Sequence, residues 1–203
     1  MKNIFILTAL CIIVIQTLVY GAQSDIITIA DFNSGKRVNN LGAEFGCWQV
    51  DPKDKTQGCA MKFGETVAPP PGQKNYFLIL NYDVQSPNPS YNGFWMKLGN
   101  LDLTKHAYFV FKVKGEKIFT SRFKVELKNE KGERVVYLVK DVTDRWQTIT
   151  VPLEKVKCST CITDWSKMTE LSITFDDILA TQKEGAICID DLKFAIVKTA
   201  DIN

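Results

Sequence analysis

One histidine, His106, is all that 203 residues provide. A Ser-His-Asp or Cys-His arrangement would have to use it, and no nucleophile motif accompanies it. A second C-x-x-C is also missing, so Cys158-Ser159-Thr160-Cys161 has no partner with which to complete a zinc site. No histidine follows that motif, which excludes a c-type haem attachment. Redox catalysis is the functional reading of the pair; a tight structural disulfide or two solvent-facing thiols is the plain one. Basic residues form no run: 25 Lys and Arg are interleaved with 23 Asp and Glu. A phosphate backbone finds no patch to follow, so nucleic acid is not an expected partner. Whole-chain balance favours uncharged partners. Helical stripes are absent too, apart from short turns near 153–157 and 163–168.

Long apolar runs are limited to one, at the beginning. Lys2 precedes a nearly continuous apolar stretch from Ile4 to Val19, and Gly21 and Ala22 follow. That is a secretory signal pattern, with cleavage expected between Gly21 and Asp25. The run is short for a membrane span. Residues 1–24 are read as the leader and 25–203 as a single domain. The mature chain is expected to be secreted or periplasmic, with no membrane attachment after cleavage. Losing Lys2 takes the net charge from +2 to +1.

Removal of Cys11 leaves five cysteines. An oxidising compartment permits disulfides. Cys47 and Cys59 close a small polar loop and are expected to pair. Cys188 lies inside an apolar strand and reads as a buried thiol.

What the chain has in quantity is strands. Val, Ile, Phe, Tyr and Thr fill segments at 26–32, 59–63, 76–82, 93–98, 107–114, 122–127, 135–138, 147–151, 171–175 and 186–196, most of them bounded by Gly, Pro, Asn or Asp. Alternation is clear. Phe109, Phe111 and Val113 oppose Tyr108, Val110 and Lys112. Phe123, Val125 and Leu127 oppose Arg122, Lys124 and Glu126, and Leu171, Ile173 and Phe175 oppose Ser172 and Thr174. Such strands have one face on a core and one partly wet. About ten of them without crossover helices make an all-β sandwich. Asn129 and Gly132 mark a hairpin turn, and Ala68-Pro69-Pro70-Pro71-Gly72 is a rigid loop between strands.

The order of short motifs carries a resemblance. Asp31-Phe32 comes first, then Phe45-Gly46-Cys47-Trp48, Tyr91-Asn92-Gly93-Phe94-Trp95, Leu101-Asp102-Leu103-Thr104, Trp146-Gln147, Phe175-Asp176 and Ile189-Asp190-Asp191-Leu192. This resembles the galactose-binding-like jelly-roll β-sandwiches, among them the carbohydrate-binding modules of bacterial cellulases and glucanases and the CIA30-type domains. It spans nearly the whole mature chain. The resemblance implies a structural calcium joining the first strand to the last, at Asp31 and Asp191. One carboxylate of the Asp190-Asp191 pair should face inward, and a buried carboxylate needs a cation or several donors. The resemblance also implies a glycan groove on a concave sheet face.

The wet faces offer Tyr108, Arg122, Lys124 and Glu126 to that groove, with Thr148, Thr150, Ser172 and Thr174. Tyr82, Tyr91 and Tyr137 supply rings, and Trp48 is a further candidate. Trp95 shares a face with Lys97, opposite Phe94 and Met96; it is either packed beneath the sheet or a platform at the groove. Trp146 reads as a plug at the edge of the core. Aromatics are few on the most polar face, and Val110 and Val136 take up part of it. Binding no tighter than micromolar is expected. Glu126, Asp176 and Asp177 are the nearest carboxylates for glycoside hydrolysis, but no spacing sets two of them across a cleft, so the chain is expected not to be an enzyme. Two readings remain: an exported domain that binds a polysaccharide or oligosaccharide weakly, and a structural domain of an assembly that binds a protein partner and has no sugar site.

Overall fold

The computed structural model describes residues 26–66, 75–153 and 162–196. The leader, the proline loop at 68–72, most of the 153–157 turn, and Cys158 and Cys161 lie outside these residues. Among the described residues, eleven strands form two antiparallel sheets. One sheet runs β3 (Gly58–Glu65), β4 (Tyr76–Asp83), β11 (Glu184–Ala195), β6 (Tyr108–Gly115), β9 (Gln147–Pro152), with β1 (Ile26–Ala30) also paired to β11. The other runs β2 (Phe45–Gln49), β5 (Tyr91–Leu101), β10 (Met168–Asp176), β7 (Phe123–Asn129), β8 (Arg134–Val139). This is the sandwich that the alternation called for, with the jelly-roll architecture that the resemblance implied.

Inner faces fill the space between the sheets. Phe94 and Met96 of β5, Ile173 and Phe175 of β10 and Phe123 of β7 meet Phe109 and Phe111 of β6 and Leu78 and Leu80 of β4, and all are buried. Burying a side chain of this size contributes on the order of 2 kcal/mol. Tyr82 belongs to this set, because it keeps the parity of Leu78 and Leu80. It is 3% exposed and stacks on Phe175 at 4.2 Å and 15°. It is therefore a core ring and not a groove ring.

β11 is long enough to pair with two strands on one edge. Its first half pairs with β4 and its last residues with β1, Ala30 opposite Leu192. The register shifts between Asp190 and Lys193, and Asp191 takes a left-handed φ of 51°. The first strand thus reaches the last at the two aspartates.

β2 was not among the expected strands. Its five residues include a glycine and no β-branched side chain; pairing with β5 makes it a strand. Asn39 orders the loop before it. Its amide donates to the Lys97 carbonyl at 2.8 Å, and its Oδ1 accepts from the Leu41 and Ala43 amides.

Candidate functional site

β2 and β5 carry the aromatic part of the outer face of the five-stranded sheet. Register sets Gly46 opposite Trp95 and Trp48 opposite Gly93. Each tryptophan therefore has a glycine across the ladder. A Cβ on Gly46 would meet three adjacent indole atoms of Trp95 at 3.1 Å. The Trp95 ring thus lies against bare backbone, where any side chain would lift it. Trp48 stands edge-on to Tyr91, centroids 5.9 Å apart, and Tyr91 is 43% exposed.

Polar rows continue from these rings. Trp95 faces Ser172 on β10, then Glu126 on β7, then Val136 on β8. One row along, Lys97 faces Glu170, then Lys128, then Arg134. Trp48, the first row as far as Glu126 and the whole second row line a groove of about 400 Å³. Lys97 pairs with Glu170, and its ammonium also sits 5.3 Å from the Trp95 ring centroid. Arg134 lies 3.9 Å from Glu126.

Asp176 lies on β10 opposite Tyr91, two rows from Trp95 and outside the groove lining. Its carboxylate meets Lys124 at 2.7 Å and accepts from the Ile178 and Leu179 amides. Burial pushes its pKa up, but Lys124 and those amides outweigh burial and hold it below the usual carboxylate range. Flat apolar rings bordered by fixed donors and acceptors suit a ligand with an apolar face and a polar rim. Both groove glutamates have cationic partners. His106 is buried on the other sheet's side, edge-on to Phe194.

Two expected site residues, Trp95 and Glu126, line the groove; Tyr91, edge-on to Trp48, and Lys124 lie on the same sheet beside it. Trp95 lies on the outer face at the groove, not in the core. Arg122 is exposed just ahead of β7, outside the groove lining. Tyr137 faces inward, because its partner Val125 does, and it packs on the core. Tyr108 is on β6, in the other sheet. Tyr82, Tyr137 and Tyr108 therefore leave the candidate set. Val110 and Val136 do not share a face, since they lie in different sheets. Trp146 is 42% exposed over Phe77, not a core plug. Lys97, Lys128, Arg134 and Glu170 were not expected. The run of odd positions Tyr91, Gly93, Trp95 and Lys97 was the available signal for the first of them.

Cys47 and Cys59 both point between the sheets. They are thiols whose sulfurs are 3.4 Å apart, one on the edge strand of each sheet. Asp191 turns its carboxylate to Lys112 at 2.6 Å. Asp31 accepts from the Asn33 amide and the Asn40 side chain. Among the described residues, no three His, Cys, Asp or Glu side chains gather as a metal site.

The sequence profile for carbohydrate binding domain 30 matches residues 50–195. The chain belongs to carbohydrate-binding domain family 30. A search of curated protein sequences finds no match. Solved structures of family 11 and family 30 modules share the fold. The family 11 module of the cellulosomal cellulase Lic26A-Cel5E of Clostridium thermocellum superposes with a TM-score of 0.58 at 15% identity, over 84% of this chain and 94% of that one. A family 11 module from the same organism, in complex with a β-1,3-1,4-mixed-linked tetrasaccharide, gives 0.57 at 16%, over 84% and 95%. The family 30 module of its cellulosomal cellulase Cel9D-Cel44B gives 0.50 at 18%, over 73% and 96%. This family 30 domain is thus a carbohydrate-binding module in fold and family.

Proposed function

We propose that this family 30 domain is exported, is not catalytic, and binds a glycan weakly across the outer face of the five-stranded sheet, with sugar rings on Trp48 and Trp95. The observation that carries this is the pairing of each tryptophan with a glycine across the β2–β5 ladder, which leaves the rings on the outer face beside polar rows. Residues 1–24 act as the leader. Affinity electrophoresis through gels containing β-glucan, xylan, mannan or pectin tests the reading, and retardation by at least one polymer is expected. Unchanged migration of folded protein across the panel would move the assignment to a protein-docking domain. Ile118 and Ile178, 54% and 88% exposed, would then be the first surface to probe.

In an oxidising compartment Cys47 and Cys59 join as a disulfide, tying the edge strands of the two sheets. A bridge across so short a loop stabilises by on the order of 3 kcal/mol. Intact mass spectrometry of protein recovered from the periplasm or medium should show two hydrogens lost. Maleimide labelling of both cysteines in that material, without reductant, would disprove the bond.

Calcium binds between Asp31 and Asp190, with Asp190 taking the place expected of Asp191. Burial pushes Asp190 up to about 7, and the charges of Asp191 and Asp31 add to the rise. A hard cation suits two such carboxylates, with backbone carbonyls completing its oxygen shell. Chelation should lower the melting temperature and calcium should restore it. A melting curve indifferent to both, with no metal in the untreated protein, would remove the site.

A further inference from the structure

We infer that the glycan on this face is acidic, carrying carboxylates on uronic acid residues; the inference rests on the carbohydrate reading of the groove. Lys128 and Arg134 are direct partners across the β7–β8 ladder, on its outer face. Like charges directly opposite destabilise a ladder. Relief is partial: Lys128 faces Glu170, which pairs with Lys97, and Glu126 is the carboxylate beside Arg134, so one positive charge is left over. Among the described residues Lys128 forms no ion pair, and Arg134, its side chain 67% exposed, has Glu126 no nearer than 3.9 Å. Lys97 in the groove and Lys124 beside it are satisfied, by Glu170 and Asp176. The near-neutral balance of the chain therefore hides a local excess of positive charge on one side of the groove.

Position makes this excess usable. Lys128 lies one row from Trp95 and two strands over, a lateral distance of about 10 Å at ordinary strand spacing. Sugars adjoining one stacked on Trp95 would bring a ring carboxylate into reach of both cations. The guanidinium takes a planar carboxylate through two parallel N–H donors, and the ammonium adds a point charge beside it. A neutral glucan would leave the excess charge of Lys128 and Arg134 unmatched.

The test compares polygalacturonate with its methyl-esterified form, which has the same backbone and masks the carboxylates. A neutral mixed-linked β-glucan and a sulfated galactan complete the set. Titration of the mature protein at low salt should show at least tenfold tighter binding to the free acid than to the ester. That ratio should collapse toward one at 1 M salt, where screening acts within about 3 Å, and in the Lys128→Met, Arg134→Met double variant, its fold checked by circular dichroism. Equal affinity for acid and ester, with binding present, would overturn the inference and leave the carbohydrate reading standing. A preference that survives in the double variant would overturn the assignment to these two residues. Tighter binding of the sulfated polymer would overturn the carboxylate. No binding to any of the four would overturn the inference, and with no retardation by xylan or mannan either it would overturn the carbohydrate reading itself.

Discussion

Replacing Trp48 and Trp95 together with alanine is expected to abolish retardation by every polymer that retards the native protein. Each single replacement should weaken binding at least tenfold, which corresponds to about 1.4 kcal/mol. Aromatic anchors commonly account for more than that when truncated. Both rings lie on the outer face of the sheet, so thermal stability should change little. Gly46→Val is the companion variant. It removes no ring, but its Cβ would meet three Trp95 indole atoms at 3.1 Å, and the ring must tilt off the sheet. Binding should fall nearly as far as in Trp95→Ala. Wild-type dissociation constants in both tryptophan variants would refute the platform, whatever the fate of the charged rows.

Gly93→Ala is expected to cost more than about 3 kcal/mol of stability, the upper end for overpacking. A Cβ at position 93 would lie 1.9 Å from the Ile173 carbonyl oxygen, 3.0 Å from its carbon and 3.1 Å from the Thr174 Cα. All three are backbone atoms of β10, so no rotamer change can relieve the contact. The β5–β10 ladder must open in the middle of the five-stranded sheet. For a chain of this size the melting temperature should drop by roughly 10 °C. A melting temperature within a degree or so of wild type, at intact secondary structure, would show that the two strands are not so closely paired.

Alternation read correctly wherever a strand was rich in branched and aromatic residues. Phe109, Phe111 and Val113 point inward, as do Phe123, Val125 and Leu127. β2 is not legible in the sequence because Phe45-Gly46-Cys47-Trp48-Gln49 carries little strand propensity of its own, yet it bears Trp48, one of the two tryptophans proposed to hold sugar. Alternation also tells which residues share a face without telling which sheet owns it. Tyr108 was therefore grouped with Lys124 and Glu126, one sheet away. Tyr82 and Tyr137 were chosen for being tyrosines, although each keeps the inward parity of its neighbours. The row Lys97, Glu170, Lys128, Arg134 draws on four strands spread over 74 residues, and only the pairing register aligns it. Cys47 and Cys59 were easier, since a short loop had to bring them close.

The rings lie at the β2 edge of the five-stranded sheet and the excess positive charge at the β8 edge, so a chain touching both must run across the strands rather than along them. Five strands at ordinary spacing make a width of about 19 Å. The sheet then works as a ruler. Longer oligomers gain contacts only until they span it; sugars beyond either edge hang in water and add nothing. The domain would count a fixed number of residues of acidic polysaccharide beneath it and ignore the rest.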